Sequence, residues 1–169
     1  VVDLCVVIME EELMKTKKGK IVVWISFIIY LALLIKIILF KYPMPMIKEI
    51  LKGCEIPSLS FRIANSNFIP LKSIFEFLFK SQNIRISVEN ILGNIIAFAP
   101  FGFLLSVLTD RMNKFKFVIL SSFILSLVFE IIQLLTALGD FDVDDILLNV
   151  LGAVLGYLFY QIFTRFMKK

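Results

Sequence analysis

The sequence predicts an all-α integral membrane protein with four transmembrane helices. Three observations carry that prediction. Four apolar runs, near residues 21–40, 88–108, 117–138 and 145–163, are each long enough to cross about 30 Å of hydrocarbon. Hydrophobic residues make up 59% of the chain and mean hydropathy is +0.91, whereas soluble domains are about 45–50% apolar. Lysine and arginine gather beside the ends of the runs, where they set membrane orientation. One membrane domain, residues 21–166, follows from this pattern, with residues 1–20 as an N-terminal tail.

The tail reads VVDLCVVIMEEELMKTKKGK. From Met14 onward it is a basic lead-in to a membrane helix, and residues 1–13, with their glutamate run, read as an over-extended gene start. The first span, IVVWISFIIYLALLIKIILF, places Lys36 near its far end, where a lysine can extend its head to the interface. It is longer than a signal-peptide core and no A-x-A-like site follows, so it reads as an uncleaved helix. In the connection, residues 41–87, Pro45 and Gly53 bracket a short helix, since proline favours a helix start and glycine a helix end. Residues 71–80, LKSIFEFLFK, set Leu71, Ile74, Phe75 and Leu78 at i, i+3, i+4 and i+7. That spacing predicts an amphipathic helix lying on the membrane surface.

The second span carries Asn90 and Asn94 on one face and is interrupted by Pro100 and Gly102; proline within a membrane helix implies a kink. A basic turn, DRMNKFK, leads to the third span, which holds Glu130 and Gln133. The acidic turn Gly139–Asp144 leads to the fourth. Basic residues flank the N-terminus, the turn between spans two and three, and the C-terminus, whereas the acidic turn has none. This predicts a multi-pass protein of the bacterial plasma membrane with both termini cytoplasmic and the acidic turn outside. The connection 41–87 carries several lysines and arginines and must also lie outside; its length lessens their weight, because the rule counts charges near span ends.

Chemistry is narrowed by what the chain lacks. It has no histidine, the commonest general base and transition-metal ligand. The two cysteines, Cys5 and Cys54, are far apart in sequence and fall on opposite sides of the predicted membrane, so no disulfide is expected between them. No metal site and no cofactor is expected. The net charge of +4 is modest, and the expected environment is the lipid bilayer rather than nucleic acid; the sequence does not set an oligomeric state.

What remains is a set of polar residues in lipid-like sequence, where a central charge costs about 2.5–3.5 kcal/mol on insertion scales. The predicted topology brings Asn90, Asn94, Glu130, Gln133, Asp142, Asp145 and Asn149 to similar depth on the outer side, forming an outward-facing polar pocket. Asp142, Asp145, Asn149, Gly152 and Gly156 follow steps of three or four and share one stripe. The two glycines form a G-x-x-x-G pattern that lets another helix approach. Simpler roles stand beside these. The amides can be interhelical hydrogen-bond glue at about 0.6 kcal/mol each. Asp140 reads as solvated. Asp142 and Asp144 can cap the fourth span, where the helix dipole favours anions. Glu130 has no basic partner in its own span and is the foremost functional candidate, as intramembrane carboxylates generally are.

Three motifs resemble the VanZ-like family. One is N-x-x-G-N followed by F-x-P-F-G, spanning Asn90, Gly93, Asn94, Phe98, Pro100, Phe101 and Gly102. The second is F-E-x-x-Q at Phe129, Glu130 and Gln133, and the third runs from Phe141 to Tyr157. Asn67–Pro70 is similar to a weaker element upstream. Many relatives carry an arginine in the turn before the aspartate, where this chain reads Leu138-Gly139-Asp140. The resemblance implies a small bacterial membrane protein with four or more helices; Gly93, Pro100, Gly102, Gly152 and Gly156 are expected in helix packing. It also implies a link to teicoplanin resistance, associated with the founding member; the family has no settled biochemical activity.

Three functions fit. The first is a non-enzymatic factor whose pocket binds an outer-leaflet amphiphile, such as a lipid-linked cell-wall precursor or a lipoglycopeptide, and alters glycopeptide sensitivity. The second is an intramembrane enzyme acting on a lipid-linked sugar or phosphate, with Glu130 and Asp145 as acid and base, with or without a divalent cation held by carboxylate and amide oxygens. The third is a structural bundle that docks another membrane protein.

Overall fold

Each of the four apolar runs forms one long helix in the computed structural model, which describes residues 16–39, 57–79, 84–108 and 114–167. These helices are α1 (Lys17–Leu39), α4 (Ile84–Leu108), α5 (Lys114–Thr136) and α6 (Val143–Met167). All four contain stretches long and apolar enough to cross a membrane. Two short helices, α2 (Leu59–Asn65) and α3 (Lys72–Phe79), lie between α1 and α4. Residues 1–13, both cysteines and the segment from Pro45 to Gly53 lie outside the described residues.

The helices extend past the apolar runs because backbone helicity does not stop where hydropathy does. α1 takes in Lys17, Lys18 and Lys20 from the expected tail, α4 begins four residues early, and α6 includes Val143, Asp144 and Arg165. α5 stops two residues short of its apolar run: Ala137 adopts a left-handed backbone, φ 59°, directly after Thr136, a common helix ending. The helix predicted over 71–80 forms as α3, which starts one residue later because Leu71, with φ 68°, is not helical. α2 was not expected. Ser58 opens it by accepting a hydrogen bond from the Phe61 amide.

The close seam of the bundle joins α4 to α6. A Cβ on Gly156 would stand 1.8 Å from the Ala99 carbonyl oxygen, one on Gly152 2.2 Å from that of Ile95, and one on Gly102 1.9 Å from that of Ala153. The two backbones therefore touch, as small residues permit in membranes. Gly93 departs from the packing role implied for it: it is exposed, and a Cβ there would meet nothing within 4 Å. Pro100 is also exposed, and α4 runs on through it.

Around this seam the buried apolar side chains come from every long helix: Phe27, Leu34 and Ile38 of α1, Phe98 and Phe101 of α4, Val118 and Phe129 of α5, and Ala153 of α6. Phe98 meets Phe129 edge-on at 6.3 Å, an arrangement that aligns ring edge with ring face. Tyr30 of α1 donates its hydroxyl to the Ala97 carbonyl at 2.5 Å. The outward faces of all four long helices are apolar, with Ile28, Ile96, Leu120 and Phe159 among the exposed side chains. This is the surface a lipid bilayer covers.

The contacts also fix which helix ends lie together. Gln133, near the end of α5, donates to the Ile38 carbonyl near the end of α1 at 3.0 Å. Lys114, at the start of α5, donates to the Ser106 carbonyl near the end of α4 and to the Tyr160 hydroxyl of α6, both at 3.1 Å. One end of the bundle thus holds Lys17, Lys18, Lys20, Lys114, Lys116 and Arg165. The other holds the acidic turn together with α2 and α3.

Candidate functional site

At that acidic end, one residue ties the connection to the bundle. The Asn67 amide donates to the Phe141 carbonyl at 2.8 Å, and the Val143 amide donates to the Asn67 carbonyl at 3.0 Å. This pairs Asn67 with Asp142 as a short parallel bridge. The Asn67 side chain completes the tie. Its Nδ2 donates to Asp142 Oδ1 at 2.8 Å and to Ser73 Oγ at 3.0 Å, while its Oδ1 accepts from the Ile69 amide at 3.1 Å. Phe68 stacks on Phe141 at 5.1 Å beside it.

The acids of the turn divide by partner. Asp142 caps α6: its Oδ1 accepts from the Asp144 amide at 2.8 Å, as an N-cap side chain does. Asp144 does not cap its own helix. Its buried carboxylate accepts from the amides of Leu71 (2.5 Å), Ser73 (2.7 Å) and Ile74 (3.2 Å), and thereby caps α3 from outside. These amides are among the donors a helix start leaves without a partner, and a carboxylate is favoured there by the helix dipole. Glu130, 1% exposed, sits behind the turn, where its Oε2 accepts from the Asp142 amide at 2.8 Å.

A cavity of about 310 Å³ opens between these elements. Asn65 and Asn67 line it from α2 and the following loop, Lys72, Ser73, Glu76 and Phe77 from α3, and Asn90 from α4. Asp140, Phe141, Asp142 and Asp145 line it from the turn and α6. Asn90, Asp142 and Asp145 of the sequence-derived set thus face one cavity. Asn94 stands just beneath, donating to Asp145 Oδ1 at 2.5 Å. Glu130, Gln133 and Asn149 are not part of the wall. Gln133 joins α5 to α1, as above, and Asn149 Nδ2 donates to Ser126 Oγ at 2.8 Å within the bundle. Asn149 Oδ1 is buried without a hydrogen-bond partner. Asp140 is exposed and lies on the cavity rim.

Chemically, the wall offers carboxylates, amides, a hydroxyl and one ammonium, all able to form hydrogen bonds. Among the described residues no cluster of three or more metal-ligating side chains occurs. Of the expected acid–base pair, Asp145 lies on the wall and Glu130 accepts from the Asp142 amide.

The match to known families points the same way as the motifs. A family model described as VanZ/LLP1 matches residues 27–164. The chain belongs to the VanZ/LLP1 family. It is 33% identical over 105 residues to Protein VanZ of Enterococcus faecium, a stretch covering 57% of this chain and 63% of that protein. The chain therefore spans less than two thirds of the length of this curated relative. No solved structure matches it.

Within the VanZ/LLP1 frame, three structural residues escaped the sequence reading. Asn67 was visible only as part of a weak upstream motif. Asp144, at a helix start, reads from sequence as a cap of its own helix, whereas it caps α3. Arg62, the third, is nearly buried on α2 and donates through Nη1 to the Leu134 carbonyl near the end of α5. Its signal was a single arginine in the otherwise apolar and neutral stretch LSFRIAN.

Proposed function

We propose that this VanZ-like protein is a non-enzymatic membrane factor whose cavity binds the polar head of an outer-leaflet amphiphile, and that it thereby alters sensitivity to teicoplanin. The observation that carries this reading is the cavity itself. It has a polar wall drawn from several separate elements, at the end of the bundle that holds the acidic turn. A pocket of about 300 Å³ is at the small end for ligand sites, which suits a head group whose tail stays in lipid. The concentration of lysine and arginine at the opposite end supports cytoplasmic termini and an outward-facing cavity.

Two measurements test this. In a susceptible host, expression should raise the teicoplanin concentration needed to stop growth, and Asp145→Asn should remove most of that increase at unchanged membrane abundance. An unchanged phenotype in Asp145→Asn, Asn90→Ala and Glu76→Gln together would defeat the reading. Orientation is tested separately. Asp140→Cys, in a background lacking Cys5 and Cys54, should react with an impermeant maleimide added to intact cells.

A further inference from the structure

Residues 57–79 present two unlike faces. One lines the cavity through Asn65, Asn67, Lys72, Ser73 and Glu76. The other is apolar and uncovered: Phe61 of α2 is 60% exposed, Ile69 62%, Phe75 54% and Phe79 71%. On α3 the exposed residues Phe75, Leu78 and Phe79 fall at i, i+3 and i+4, a single stripe, and Leu71, just before the helix, is exposed as well. Patches of this kind mark an interaction surface.

We propose that the occupant of this face is the head-group and acyl boundary of the bilayer, so that one wall of the cavity is a lipid-seated segment. Level and continuity argue for lipid. Arg62 docks on the Leu134 carbonyl, two residues from the end of α5, which is about 3 Å along the helix axis. Asp144, in the first turn of α6, holds the start of α3. The segment therefore sits at the depth where the spans leave hydrocarbon. Its apolar face also runs on into theirs: Leu135 is exposed next to the Arg62 contact, and α4, on which α3 packs, exposes Val88 and Leu92. A short amphipathic helix at this depth buries its apolar face in the boundary region. The cavity then opens at head-group level, and an amphiphile reaches it sideways from the leaflet. That route rests on the proposed function; the lipid seat does not.

The full chain reconstituted in phosphatidylcholine and phosphatidylglycerol vesicles provides the test. Trp24 is the single tryptophan and is replaced by phenylalanine, after which Phe75→Trp, Phe79→Trp and Asp140→Trp are made one at a time. Bromine-labelled acyl chains should quench the first two several-fold more than the third, and aqueous iodide should do the reverse. Iodide quenching of Phe75→Trp and Phe79→Trp as strong as that of Asp140→Trp would overturn the proposal. Shielding from both quenchers would overturn it equally, by identifying a second copy of the chain as the cover. A polarity-sensitive dye on Leu78→Cys gives the same reading should a tryptophan variant not fold. Adding Asp145→Asn to these proteins should leave quenching unchanged even where it abolishes the teicoplanin effect, so failure of the ligand reading and failure of the lipid seat are told apart.

Discussion

α6 takes part in two unlike regions of this molecule, a few turns apart. In its middle, Gly152, Ala153 and Gly156 press against the backbone of α4 with no side chain between. In its first turn, Asp144 and Asp145 reach outward to α3 and Asn94. The seam is held by contact area, and in lipid close packing is a principal source of helix association. The acidic end is held by charge-assisted hydrogen bonds to backbone amides, which are stronger than neutral ones. The seam should therefore fail globally and the acidic end locally.

The largest effect is expected at the seam. In Gly156→Leu or Gly152→Leu the new side chain meets backbone carbonyls that cannot turn aside, so the cost should exceed the about 1–3 kcal/mol of ordinary overpacking. Loss of folded protein from the membrane is the outcome expected, read as a collapse of thermal stability in detergent. Gly93→Leu is the control; its site is open, and stability should stay within about 0.5 kcal/mol of wild type. Similar losses at all three sites would mean that the seam is not the determinant.

Asp144→Ala comes next. It removes the acceptor for three part-buried amides at the start of α3, and losing a capping side chain costs about 0.5–2 kcal/mol. Hydrogen exchange should accelerate in residues 71–79, while the amides of α4 and α6 near Ile95 and Gly152 remain protected. Acceleration throughout would merge the two regions into one cooperative unit. Glu130→Gln should cost less than Asp144→Ala. A glutamine oxygen can still accept from the Asp142 amide, so what is removed is the charge rather than the bond.

The same contrast explains what could be read in the sequence. The seam was legible because G-x-x-x-G reports itself through spacing alone, and helix periodicity placed Asp142, Asp145 and Asn149 on one stripe. The acidic end was only partly legible. Its central bond pairs Asn67 with Asp142 across 75 residues, and no local pattern encodes that distance. Asp144 and Asp145 are adjacent, and one residue turns a helix by about 100°. That rotation sends one carboxylate to α3 and the other to the cavity. Glu130 stood out because a carboxylate in apolar sequence is conspicuous, yet its amide partner in the turn had no signal.

The smallest expected effect sharpens the line between the regions. Ala137 holds a left-handed backbone, φ 59°, at the end of α5, and Leu71 holds one, φ 68°, before α3. An L-residue in this conformation is disfavoured by about 1–2 kcal/mol, and glycine returns about 0.5–1 kcal/mol of that through its larger unfolded-state freedom. Ala137→Gly should therefore stabilise by a few tenths to about 1 kcal/mol, with the gain in global thermal stability because α5 belongs to the bundle. Leu71→Gly relieves the same strain, but the residue lies in the segment held by Asp144, so its gain should appear as slower exchange in residues 72–79 and leave the global transition nearly unmoved. It also removes an exposed apolar side chain from the proposed lipid-facing surface, so in vesicles the net gain should be smaller than in detergent. A global shift from Leu71→Gly as large as that from Ala137→Gly would show that the start of α3 and the end of α5 unfold together.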